Sequence, residues 1–212
     1  MSTKTKKPYN FGRLMRNMQL AYSFDVLDQF HDLLQTAANE SAKRLQAEYN
    51  GLSPESFECE SHMEAYKSYL DDDFYQLAEA KKLGQALAIT GLYRQVETQV
   101  KRALRPTFPE MGKNKIEKIL LGIPQKEIDS SKLVAFDAIN ELRMLNNLIK
   151  HADSRVDKKL ATAYPTWIEN SELHDLDKAY DRLKPLVEKF IHAFINEAYD
   201  QSDAFEAAPA NN

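Results

Sequence analysis

The stretch Asn140-Glu-Leu-Arg-Met-Leu-Asn-Asn-Leu-Ile-Lys-His-Ala-Asp153 decides how the chain reads. With Ala138 just ahead of it, Leu142, Leu145 and Ile149 recur at the three- and four-residue intervals that line one face of an α-helix. Arg143, Asn147 and His151 stand four apart, and each such step drifts only about 40° around a helix, so the three side chains form one polar stripe roughly opposite the apolar one. The apolar face is expected to be buried and the polar stripe to be presented outward. A guanidinium that holds a phosphate and an imidazole that moves a proton are the minimum for metal-independent RNA cleavage. The competing reading of the stripe is an ordinary solvated helix face.

Helical spacing continues on both sides of this stretch. From about Leu14 to Tyr49, the residues Met18, Tyr22, Val26, Phe30, Leu33 and Leu34 predict one long first helix with Asn50-Gly51 as its stop. Ser53-Pro54-Glu55 suits a cap followed by proline in the first turn of a short helix. Asp71-Asp-Asp73 opens a second long helix reaching about Leu104, with Ala86, Ile89, Tyr93, Val96 and Val100 on its apolar side. Gly84 and Gly91, seven apart on that helix, either allow close approach of a neighbour or are two tolerated glycines costing about 1 kcal/mol each.

Arg105-Pro-Thr-Phe-Pro109 is expected to break the second helix, and Lys113 to Leu121 to form a short one ending at Gly122-Ile-Pro124. Ser130-Ser131 caps the helix carrying the polar stripe. Pro165 and Trp167 fall in a loop or short helix. The last helix runs from near Asn170-Ser171 to about Tyr199, burying Leu173, Leu176, Tyr180, Leu183, Val187, Phe190 and Phe194, with Pro185 kinking or dividing it.

Only six glycines and eight prolines occur in 212 residues, so the expected fold class is all-α, a helical bundle of four to five main helices. At 43% hydrophobic the chain can bury one core, expected over residues 11–200, with disordered ends at 1–10, which is basic, and 201–212. A net charge of −4 gives no global attraction to a polyanion, so a nucleic-acid site has to be a local basic patch. A single cysteine, Cys59, cannot form an intramolecular disulfide and agrees with a reducing, cytoplasmic address. No apolar run approaches the ~20 residues of a membrane span, and no signal-peptide core follows the basic start.

No metal and no cofactor are expected, since His31, His62, His174 and His192 lack partners at metal-binding offsets and no phosphate loop or nucleophile elbow is present.

Two motifs resemble those of the HEPN superfamily, small all-helical domains of prokaryotic defence and toxin systems and of several RNA-processing proteins. One is Gly91-Leu-Tyr-Arg-Gln-Val-Glu-Thr-Gln-Val-Lys-Arg-Ala-Leu104, which is similar to the family's helix carrying an active-site acid, here Glu97. The other is Glu141-Leu-Arg-Met-Leu-Asn-Asn-Leu-Ile-Lys-His151, similar to the later helix in which four to six residues stand between an arginine and a histidine. Here seven do, and Met144 follows the arginine. The resemblance covers roughly Asp73 to Tyr199.

It implies a HEPN-like fold and metal-independent endoribonuclease chemistry in a defence or toxin–antitoxin setting. The ribose 2′-OH attacks the adjacent phosphate and leaves a 2′,3′-cyclic phosphate. In that reaction His151 would transfer a proton, Arg143 hold phosphate oxygens, Asn147 orient the imidazole or bind phosphate, and Lys150 add positive field at the RNA. Eight residues are about 12 Å of helix, so a homodimer that brings Arg143 of one chain toward His151 of the other would close the gap. RNA, an antitoxin or another protein are the implied partners. The duller alternatives are a Glu97–Lys101 surface pair, and a non-catalytic dimerisation or interaction module or an RNA- or nucleotide-binding scaffold.

Overall fold

A computed structural model describes residues 11–121, 128–151 and 155–202. The basic start 1–10, the Gly122-Ile-Pro124 stop and the tail from 203 onward lie outside the described residues.

The chain is an all-α helical bundle. Its helices are α1 (Phe11–Leu20), α2 (Asp25–Asn50), α3 (Glu60–Thr107), α4 (Pro109–Gly112), α5 (Ile116–Leu121), α6 (Phe136–His151), α7 (Lys158–Ala163) and α8 (Leu176–Asp200), with 3-10 turns at Pro54–Ser56 and Ser130–Lys132. Five of them, α1, α2, α3, α6 and α8, have ten residues or more. Among the described residues there is no β-strand, and no helix is long and apolar enough to cross a membrane.

Several boundaries differ from those that periodicity predicts. The long first helix is two helices, α1 and α2, parted at residues 21–24. Phe24 leaves the helical path to bury its ring, and Asp25 and Asp28 then place carboxylates against the positive end of α2. The expected apolar stripe is also misplaced: Met18, Val26, Phe30 and Leu33 are 55, 78, 40 and 70% exposed, while α2 buries His31, Ala38 and Leu45.

Helix α3 begins at Glu60, eleven residues before Asp71, and passes through Pro106 to Thr107. Pro106 has no N–H for the Arg102 carbonyl one turn back, and Gln19 Nε2 donates to that carbonyl at 3.3 Å in its place. Asp129, rather than Ser130, caps the 3-10 turn ahead of α6, accepting from the Ser131 N–H. Helix α8 starts at Leu176 because Asn170 and Asp175 both take positive φ, and it continues unbroken past Pro185.

The chain divides into two compact units, and α3, α6 and α8 each supply residues to both. The first unit comprises Met1–Ser23, Leu92–Leu145 and Asp181–Asn212. Its core joins Tyr93, Val96 and Val100 of α3, Ile139, Leu142 and Leu145 of α6, and Leu183, Val187, Phe190 and Phe194 of α8. Arg16 fastens α1 there, through Asn196 at 2.9 Å and Asp200 at 2.6 Å. Ser202, inside the segment expected to fray, is buried, with its hydroxyl donating to the Thr107 carbonyl.

The second unit comprises Phe24–Gly91 and Asn146–Tyr180, and α2 with the first part of α3 forms an antiparallel hairpin in it. A Cβ on Gly84 would lie 2.2 Å from a Leu34 methyl, and one on Gly91 would lie 2.8 Å from a Leu27 methyl. The two glycines therefore serve close helix approach. His31 stacks on Tyr180 at 4.6 Å, and the Tyr180 hydroxyl donates to Asp28. Trp167 is buried against the edge of His174.

Candidate functional site on helix α6

Helix α6 contributes Phe136–Leu145 to the first unit and Asn146–His151 to the second. Its buried arc, Ala138, Ile139, Leu142, Leu145 and Leu148, contains the apolar residues that the spacing singles out, with Ile149 half-buried at its edge. That burial holds the helix and sets where its polar residues stand.

In the first unit Arg143 is half-buried and its Nη2 donates to Asn140 Oδ1, one turn back, at 3.0 Å. Its Nε is buried and, among the described residues, has no hydrogen-bond partner. The Tyr93 hydroxyl on α3 is in the same condition. Burial raises the Tyr93 phenol well above the usual tyrosine range, Glu117 and Glu97 push it further up, and Arg143 pulls it back. Three helices thus bring Tyr93, Glu97, Glu117 and Arg143 into one electrostatic neighbourhood. Glu97, its side chain 21% exposed, pairs with Arg94 at 2.9 Å, one turn before it, rather than with Lys101.

In the second unit Asn147 is half-buried, while Lys150 and His151 are exposed in the last turn of α6. The free carbonyls at a helix C-terminus favour cations there. The polar stripe is therefore open to solvent at His151 and partly enclosed at Arg143 and Asn147. Residues 152–154, which follow it, lie outside the described residues.

Two polar residues of α6 went unmarked by the spacing argument. Asn146 is 1% exposed, and its Oδ1 is buried without a hydrogen-bond partner among the described residues. Glu141 is 3% exposed and is held by Arg182 of α8 at 2.7 and 2.9 Å. Both lie within the wider buried arc bounded by Ile139 and Leu148, so a polar residue inside an apolar arc is the signal that finds them.

Chemically, the helix offers a partly enclosed guanidinium with N–H groups beyond its Asn140 bond, and an exposed imidazole beside an exposed ammonium. Among the described residues no three His, Cys, Asp or Glu side chains converge as metal ligands. No protein-family model, no curated protein and no solved structure matches the chain.

Proposed function

We propose that the chain is a HEPN-like protein that cleaves RNA without a metal ion, acting as a homodimer. The observation that carries this reading is the placing of Arg143 and Glu97 around Tyr93. They come from different helices, and both act on the buried Tyr93 hydroxyl; they are two of the residues that the resemblance assigns to one active site. Arg143 would hold the scissile phosphate, and its partial enclosure favours one orientation of the fork. His151, free in solvent, would move the proton as the 2′-oxygen bonds to phosphorus and the 5′-oxygen departs, leaving a 2′,3′-cyclic phosphate. Asn147 and Lys150 would assist on the same helix. In this reading the protein works in the cytoplasm as a defence or toxin component, restrained by an antitoxin.

The test is cleavage of single-stranded RNA in excess EDTA, scored for 2′,3′-cyclic phosphate ends, with wild type, His151→Ala and Arg143→Ala. The expected loss is about 10²-fold or more for each variant, in the range usual for a proton-transfer group. Cleavage abolished by EDTA, or unaffected by either substitution, would overturn the reading.

A second reading, a non-catalytic interaction module, is favoured by one observation. Helix α1 exposes Phe11 and Met18 in the first unit, and helix α2 exposes Val26 and Leu33 in the second, large apolar side chains of the kind that mark interaction surfaces when they cluster. Failure of every RNA to be cut, with partner binding retained, would select it.

A further inference from the structure

Over residues 26–37 and 80–87 the outer face of the α2–α3 hairpin is apolar. Leu34 against Gly84 and Leu27 against Gly91 fix the antiparallel register of the two helices. Around α2, Val26, Phe30 and Leu33 lie about 40–100° to one side of the Leu27–Leu34 line, and around α3, Leu83 and Leu87 lie about 60–100° to one side of Gly84. Because the helices run in opposite directions, these turns carry both rows to the same side of the hairpin. His31 and Asp28, turned the other way on α2, meet Tyr180 instead. The register sets Phe30 and Leu33 level with residues 88 and 85 of α3, so Leu83 and Leu87 adjoin them.

These five side chains are 78, 40, 70, 62 and 51% exposed in chain order. Ala37 and Ala80, also exposed, fill the corners. Charged residues make up 28% of the chain and normally occupy the outer face of a helix, yet none stands at these seven positions.

We infer that this face is the interface with a second copy of the chain. The exposed apolar surface amounts to about three fully exposed large side chains, on the order of 450 Å² at the lower bound for an aromatic ring. A standard interface buries about 800 Å² per partner, of which a little over half is apolar, so the face matches one half of a two-fold dimer. A two-fold axis parallel to the helices lays α2 of one copy over α3 of the other. Each apolar row then meets an apolar row. The inference rests on the hairpin's geometry and shares only the homodimer with the proposed function, whose RNA cleavage is tested separately.

Light scattering coupled to size exclusion, with sedimentation equilibrium from micromolar to hundreds of micromolar, tests it. Wild type is expected at twice 24.3 kDa, and a Leu33→Glu/Leu83→Glu variant at 24.3 kDa with unchanged helical circular dichroism. The dissociation constant should rise at least about tenfold, as expected when two central interface residues become charged. Wild type monomeric throughout, or a folded double variant still dimeric, would overturn the inference. Should the variant lose its helical signal, Leu33→Cys in a Cys59→Ser background decides instead. Maleimide labelling of that thiol should slow as protein concentration rises, and a concentration-independent rate counts against the interface.

Discussion

Arg182 of α8 grips Glu141 of α6 through both arms of its guanidinium, Nη1 to Oε2 at 2.9 Å and Nη2 to Oε1 at 2.7 Å. The carboxylate is 3% exposed and the arginine side chain 50%, so the anion is inside the first unit and the cation at its surface. A buried carboxylate needs its partner more than the partner needs it. Removing Arg182 leaves a charge among Ala138, Leu142 and Leu145, whereas removing Glu141 leaves an arginine that can swing into water.

Arg182→Ala is therefore expected to lower the unfolding free energy by about 2–4 kcal/mol, somewhat below the 3–5 kcal/mol typical of a fully buried pair. Arg182→Lys should fall between, since it keeps the charge but loses the two-pronged geometry. Urea unfolding followed by circular dichroism measures both. A change of less than 0.5 kcal/mol on Arg182→Ala, at the scale of ordinary surface substitutions, would mean the pair is an ornament of the surface.

Gly84→Ala sets two effects against each other. Alanine gains about 1 kcal/mol of helix propensity over glycine, but its Cβ would sit 2.2 and 2.7 Å from the Leu34 methyls and 3.0 Å from Leu34 Cγ. Three contacts on one branched carbon cannot all be relieved by one methyl rotation, so the hairpin must open or Leu34 must change rotamer, at about 1–3 kcal/mol. The net expectation is a lower melting temperature for Gly84→Ala and recovery in Gly84→Ala/Leu34→Ala. A melting temperature raised by the single substitution would show that propensity outweighs the contact.

Much of the fold was legible because burial and spacing agree where both neighbours of a helix are apolar. Val96, Val100, Leu142, Leu145, Leu183, Val187, Phe190 and Phe194 are all buried as their period predicts. Spacing fails on α2, where two apolar arcs compete and only tertiary contacts choose between them. Leu27 and Leu34 win because Gly84 and Gly91 make room, a fact that lives on another helix. The break at 21–24 was invisible for the same reason: Tyr22 donates to Gln95 at 2.5 Å, 73 residues away. At the candidate site, periodicity placed Arg143, Asn147 and His151 on one line but could not see that the Arg143 end would be partly enclosed beside Tyr93.

Tyr93 lies in the core with its hydroxyl unpartnered among the described residues. Replacing it with phenylalanine removes a buried polar atom and little volume, so Tyr93→Phe should be neutral or stabilising by up to about 1 kcal/mol at pH 8. The pH dependence has a definite sign. The folded phenol is raised above its ordinary value of 10.0, so above that pH the unfolded chain loses this proton while the folded chain keeps it. Wild-type stability then falls as pH rises from 10, by at most about 1.4 kcal/mol per pH unit from this group, and the variant is spared that loss. Urea unfolding at pH 8 and pH 11 should show the advantage of Tyr93→Phe widening at the higher pH. An equal difference at both would mean that Tyr93 titrates normally and its hydroxyl is reached by water.

The two principal residues of the candidate site should separate when stability and cleavage are measured on the same variants. His151 is exposed at the end of α6 with no core to leave, so His151→Ala should alter the unfolding free energy by no more than about 0.5 kcal/mol. Arg143 is half-buried with its Nε enclosed, and it opposes the negative field that Glu97 and Glu117 impose around Tyr93. Arg143→Ala should therefore destabilise the protein by about 1–2 kcal/mol, within the usual range for a half-buried position. If α6 carries catalysis, both variants lose RNA cleavage although only one is destabilised, and the His151 variant isolates the chemistry from the fold. The informative contrary result is a folded His151→Ala protein cutting RNA at the wild-type rate, because the proton transfer assigned to that imidazole would then belong elsewhere.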